Sequence, residues 1–117
     1  MKSIRLAILS ALCVGGAAAA SAADPYPSKP MELRVGGQPG GGSDNTARAI
    51  AEAARPLLPQ PTIVVNKPGA SGSIGWSYVA TAEPDGYKLV LVTPEMLVVA
   101  LMGIGKTTVH DFQPVPR

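Results

Sequence analysis

Met31-Glu32-Leu33-Arg34-Val35 is followed by Gly36-Gly37-Gln38-Pro39-Gly40-Gly41-Gly42 and then by Ser43-Asp44-Asn45-Thr46-Ala47-Arg48-Ala49-Ile50. The first five residues alternate apolar and polar, as a short strand does. The next seven hold five glycines and Pro39, which makes a loop whose backbone can approach a ligand closely. Ser43 or Asp44 is placed to cap a helix. After them Ala47, Ile50, Ala51, Ala54, Leu57 and Leu58 recur at helical spacing, with Arg48, Glu52 and Arg55 off the apolar stripe. Pro56 limits the last turn, and Pro59 and Pro61 end it.

Downstream the same unit recurs in outline. Thr62-Ile63-Val64-Val65 is a continuous β-branched run, the pattern of a strand buried on both faces. Residues 66–72 (NKPGASG) form a second glycine loop, and Ser73 can cap a helix over 73–81. Glu83-Pro84-Asp85-Gly86 signals a turn, and residues 87–92 (YKLVLV) a third strand. Thr93-Pro94-Glu95 opens a third helix, 95–102, with Gly103 and Gly105 at its end. The order is β-loop-α-β-loop-α-β-α. The predicted fold class is therefore α/β, with a parallel sheet and right-handed crossovers. In such sheets ligands bind beyond the carboxyl ends of the strands, where both glycine loops and Thr93 fall.

Upstream, residues 1–23 read as a secretory signal peptide. Lys2 and Arg5 form its positive start, residues 6–20 are apolar and small, and Ala20-Ser21-Ala22-Ala23 offers cleavage sites. The apolar run is short for a membrane anchor and is weakened by Gly15-Gly16. Leu12 is too large for the position before a lipoprotein cysteine at Cys13. Residues 24–30 carry Pro25, Pro27 and Pro30 and are expected to run extended.

The composition removes several function classes. The chain has 10 Lys+Arg and 8 Asp+Glu. With Lys2 and Arg5 in the leader, the exported part is formally neutral, which argues against nucleic-acid binding. Cys13 is the only cysteine and also lies in the leader, so neither a disulfide framework nor a cysteine site is expected. His110 is the only histidine, too few for a usual zinc site. Ala100 to Thr107 (ALMGIGKT) approximates phosphate-loop spacing, but no strand precedes it in this reading and no long helix follows. Residues 69–73 lack the last glycine of a nucleophile elbow. No catalytic residue, metal or cofactor is assigned.

Two glycine loops, each entering a helix, can instead build one anion-binding corner from backbone N–H groups. Ser43, Ser71, Ser73 and Thr93 add hydroxyls that donate and accept. Such a site suits a small carboxylate. The alternative is that the glycines only make tight turns. Asp44 is expected to cap the first helix and to pair with Arg48, with contact to a ligand amine or hydroxyl as the other reading. Trp76, the only tryptophan, reads as core, with a ligand platform as the alternative.

Five stretches resemble a known family in order and spacing. They are Tyr26-Pro27-Ser28-Lys29-Pro30; Pro39-Gly40-Gly41-Gly42-Ser43-Asp44 with Ala47-Arg48; Asn66-Lys67-Pro68-Gly69-Ala70-Ser71-Gly72-Ser73-Ile74-Gly75; Pro84-Asp85-Gly86-Tyr87; and Asp111-Phe112-Gln113-Pro114-Val115. Together they resemble the start of the tripartite tricarboxylate transporter substrate-binding receptors, the Bug or TctC-like extracytoplasmic solute receptors. The resemblance implies a periplasmic, two-lobed flytrap fold with the ligand between α/β lobes. It implies ligands that are di- or tricarboxylates, amino acids or aromatic acids, and delivery to a membrane permease with one large and one small integral subunit. It carries ligand contacts over to Gly40, Gly41, Ser43, Asp44, Ala70, Ser71, Gly72 and Thr93. It implies neither catalysis nor a metal.

The family usually has Pro-Phe where this chain has Gly36-Gly37, a change expected to alter the pocket and loosen the loop. Family members are also far longer. Residues 24–117 are therefore expected to be the N-terminal portion of the first lobe, in a truncated chain without the second lobe. The alternatives are a small stand-alone exported carboxylate binder or a remnant, and a small exported hydrolase or nucleotide-using enzyme.

Overall fold

The computed structural model describes residues 24–115. The expected signal peptide, 1–23, lies outside them. Three strands, β1 (Met31–Val35), β2 (Thr62–Asn66) and β3 (Lys88–Leu91), alternate with α1 (Gly42–Ala54), α2 (Ser73–Ala80) and α3 (Glu95–Leu101). The sheet is parallel throughout, in the order β2-β1-β3. Met31 pairs with Thr62 and Val35 with Asn66 on one side, and Glu32 pairs with Lys88 and Val35 with Leu91 on the other.

The chain steps from β1 outward to β2, then back across β1 to β3. Right-handed crossovers in opposite directions put their helices on opposite faces, and the core shows this arrangement. Leu33 and Val35 of β1 pack with Ala47 of α1 and with Val64, Leu89 and Leu91. On the other face Trp76 of α2 packs with Met96 and Val99 of α3, against Val90 and Phe112. A strand's side chains alternate between faces, so Glu32 and Arg34 lie on the α2 side of the central strand. There they form an ion pair, and the Arg34 guanidinium sits 4.1 Å from the centre of the Tyr78 ring. Arg34 thus keeps a charge partner and an aromatic face within a mostly covered site.

The β-branched strand is not the doubly buried one. β2 forms an edge, and Ile63 is 51% exposed. The strand with two charges is central instead, with its charges paired to each other and Arg34 set over Tyr78. The α1 stripe is also less covered than its periodicity predicts. Ala47 is buried, but Ile50 is exposed and Leu57, in the 3-10 turn Arg55–Leu57, is 80% exposed. Ala47 seats α1 on the sheet, and Ala51, Ala54 and Leu58 of the stripe are half-buried.

Two of the sequence motifs meet at the end of the sheet away from the glycine loops. The Tyr26 hydroxyl donates to the Gly86 carbonyl at 2.7 Å, and the Ser28 N–H donates to the Tyr87 hydroxyl at 2.9 Å. Tyr26 and Tyr87 meet edge to face at 5.1 Å, and the Lys29 ammonium lies 4.3 Å from the Tyr87 ring centre and 3.5 Å from Asp85. The proline-rich lead-in is therefore clasped to the turn before β3. The last motif is structural too. Phe112 joins the second core, and Asp111 accepts from the Thr108 N–H at 2.7 Å. The two glycine loops lie at the other end of the sheet.

Candidate functional site

β1 and β3 are neighbours, and the chain leaves them toward opposite faces of the sheet, into α1 and α3. This is the topological switch point, where open α/β sheets form a crevice. Both glycine loops converge on it.

The first loop, residues 36–42, is held by side chains from two elements. Asp44, 2% exposed, accepts from the Gly40 N–H at 2.8 Å and from Arg48 Nε at 2.9 Å through the same oxygen. Arg48 reaches on to the Asn66 side-chain oxygen at 3.4 Å, and Asn66 Nδ2 donates to the Gly37 carbonyl at 3.2 Å. The Arg48 hydrogen bond, then the Gly40 N–H, pulls the Asp44 carboxyl down from 3.8 to about 2. Asp44 thus pairs with Arg48 as expected. It does not cap α1, nor does Ser43. The cap residue is Gly41, and the helix begins at Gly42. The glycines let the chain turn into the helix early, which leaves Asp44 a position from which its carboxylate reaches back to Gly40. Asp44 thus ties the loop at Gly40, and Asn66 ties it at Gly37.

The second loop carries unusual backbone. Gly69, Ala70, Ser71 and Gly72 all have positive φ, from 46° at Ala70 to 135° at Gly69. For Ala70 and Ser71 this conformation costs roughly 1–2 kcal/mol each. Strain of this kind concentrates at ligand sites, where the surrounding structure enforces it. Gly36 and Gly72 bring the two loops together: a Cβ on Gly36 would lie 2.7 Å from the Gly72 Cα.

The crevice between the loops measures about 10 Å³ and is lined by Gly36, Gly37, Ser43, Gly72, Trp76, Leu91, Thr93 and Glu95. That volume admits about one water-sized group. It adjoins a wider cleft of about 510 Å³ that shares Gly36, Gly37, Gly72 and Glu95 and adds Ser71, Val98, Met102 and Ile104. The wider volume falls in the range of small-molecule sites. Thr93 donates through Oγ1 to Glu95 Oε2 at 3.3 Å.

Of the residues expected at the site, Ser43, Ser71, Gly72 and Thr93 line these two spaces. Gly40, Gly41, Asp44 and Ala70 are not among the lining residues; they shape the loops behind them. Sequence reasoning missed the lining roles of Gly36, Gly37, Glu95 and the apolar wall from α3. Glu95 read only as a helix opener beside Pro94. Trp76 is core as expected, and it also reaches the crevice.

Known proteins match this chain in sequence and in fold. Residues 46–115 match the tripartite tricarboxylate transporter family receptor. The protein BugT of Bordetella pertussis is 40% identical over 80 residues, covering 68% of this chain and 24% of that protein. The crystal structure of a TctC solute-binding protein from Polaromonas aligns with a TM-score of 0.68 and 49% identity, over 71% of this chain and 29% of that one. Rpa4515 of R. palustris, solved with adipate, aligns with a TM-score of 0.59 and 35% identity, over 61% of this chain and 24% of that one. The chain thus spans about a quarter of the length of the relatives it matches. The Polaromonas relative is a solute-binding protein. Two glycine loops meeting at the switch point of a parallel sheet, matched at this identity over most of the described residues, mean that the chain belongs to the tripartite tricarboxylate transporter receptor family.

Proposed function

We propose that this chain carries the gripping loops of a periplasmic receptor that captures a small carboxylate. One observation carries the reading. The N-termini of α1 and α2, each entered through glycines, converge on one crevice with the hydroxyl residues Ser43 and Thr93, beside the cleft that Ser71 lines. Unpaired N–H groups and hydroxyl donors at the same place favour a compact anion. The adjoining cleft has apolar side chains from α3, which suit the carbon skeleton of a di- or tricarboxylate, an amino acid or an aromatic acid. The adipate held by the R. palustris relative, itself a dicarboxylate, supports this class.

In this reading residues 1–23 direct export, and residues 24–117 are the N-terminal portion of the first of two lobes. The receptor passes its ligand to a membrane permease with one large and one small integral subunit. Calorimetry on the purified protein with citrate, adipate, glutamate and benzoate tests the proposal. Saturable binding of at least one acid is expected, weakened by about fivefold in Ser43→Ala through the loss of one hydrogen bond. No heat with any acid would overturn it.

A further inference from the structure

A residue that lines the crevice carries a donor that neither the loops nor the core uses. Trp76 is 2% exposed, and its indole Nε1 is buried without a hydrogen-bond partner. Buried N–H groups in folded proteins are nearly always paired. A tryptophan in a purely apolar role turns its N–H toward an acceptor or toward solvent. Here it does neither, and Trp76 lines the crevice.

The ring edge that carries Nε1 is also the edge beneath the second loop. A Cβ on Gly72 would lie 3.1 Å from Cε2, the carbon bonded to Nε1, and 2.8 Å from Cζ2. Gly72 therefore lays its bare backbone against the indole edge at the place where the two loops meet, where any side chain would collide with the ring. The indole N–H is a donor only, so what it lacks is an acceptor. The crevice, at about 10 Å³, has room for about one oxygen atom. Around it lie Ser43 and Thr93, with Leu91 as apolar wall.

We infer that Trp76 is a ligand-binding residue: its indole N–H donates to an oxygen acceptor that enters the crevice, either a carboxylate oxygen of the ligand or a water that the carboxylate holds. The inference rests on the receptor reading above and adds a specific donor to it. Binding then satisfies a group that folding leaves unpaired. The fit also fixes where the carboxylate sits, between the loops and above Trp76 rather than out in the wider cleft.

Trp76 is the only tryptophan, so its signals are unambiguous. The experiment titrates the protein with citrate, adipate, glutamate and benzoate, following heat and the single indole N–H resonance of the 15N-labelled chain. An acid that produces heat is expected to move that resonance downfield and to slow its exchange with solvent. An Overhauser contact from the indole N–H to ligand protons marks the direct bond, and one to a bound water marks the bridge; either supports the inference. Trp76→Phe, which keeps an aromatic ring and removes the N–H, is expected to weaken binding about 5- to 30-fold. Heat with no change at the indole resonance would overturn the Trp76 assignment and leave the receptor reading intact, as would Trp76→Phe binding at full affinity. Absence of heat with every acid would overturn the receptor reading, and this inference with it. The resonance test needs no variant, so a Trp76→Phe protein that fails to fold does not remove it.

Discussion

Gly72→Ala should be a damaging single-methyl change in the site, and its cost can be divided using two other glycines. Gly72 has φ +91°, where an alanine loses roughly 1–2 kcal/mol. Its added methyl would also meet Trp76 Cζ2 at 2.8 Å and Cε2 and Cη2 at 3.1 Å. The indole is buried in the second core and cannot swing aside, so overpacking adds about 1–3 kcal/mol. The sum is about 3 kcal/mol. Gly40 has φ +79° but open space around it, so Gly40→Ala should lose only the backbone part, about 1 kcal/mol. Gly42 opens α1 with no positive φ and nothing within 4 Å. Gly42→Ala should be neutral or stabilise by up to about 0.5 kcal/mol. Urea melts of the three variants against the parent measure these differences. With a slope of about 1–2 kcal/mol per molar, typical of a small chain, Gly72→Ala should shift the midpoint by more than 1 M. Tryptophan emission, which reports Trp76 alone, should change in the folded Gly72→Ala protein and not in the other two. If Gly72→Ala costs no more than Gly40→Ala, the contact between the second loop and the indole is not a tight one. The reasoning that places Trp76 under the crevice would then fail.

Three further outcomes follow from the site geometry. The Asp44 carboxyl is held at about 2 by Arg48 and Gly40, below its ordinary 3.8, so its contribution to stability is complete above about pH 4 and is lost as pH falls toward 2. Acid titration of Asp44→Asn should show a flatter stability slope over that window. Asn66→Ala removes the donor to the Gly37 carbonyl and the acceptor for Arg48, and should cost about 1 kcal/mol with faster hydrogen exchange of the first-loop amides. Glu95→Gln removes a negative charge from the crevice wall and should tighten binding of dicarboxylates a few-fold in calorimetry, most at low salt.

Much of the fold was legible because each strand and helix carries its own period and ends at its own breaker. Met31–Val35 matches its predicted bounds, and β2, β3, α2 and α3 differ from theirs by a residue or two at an end. Strand order was not legible. The β-branched run of β2 read as a strand buried on both faces, yet β2 is at the edge and the alternating, charged β1 is central. A charge pair inside a sheet depends on contacts with Tyr78, over forty residues away, and local pattern cannot express that. The glycine loops were legible as site elements, since glycine marks close backbone approach. Which residues face the ligand was less so. Asp44 and Gly40 are occupied with each other, and this depends on the helix starting at Gly42 rather than after Ser43. Glu95 and the α3 side chains gave no signal, because wall position is a property of the packed fold and not of a motif.

The charge pair on the central strand also bears on how the chain reaches its fold. β1 is the first strand made and the last to be fully covered, because both of its neighbours come later, at Thr62–Asn66 and Lys88–Leu91. Until then the most buried strand is bare. A five-residue apolar β run in that position would be an aggregation hazard. Glu32 and Arg34 interrupt it with two hydrated charges, which keep separate copies from stacking strand on strand. Once β3 is in place, the same two side chains neutralise each other, and Arg34 lies against Tyr78. They act as gatekeepers before the sheet closes and need no removal afterwards.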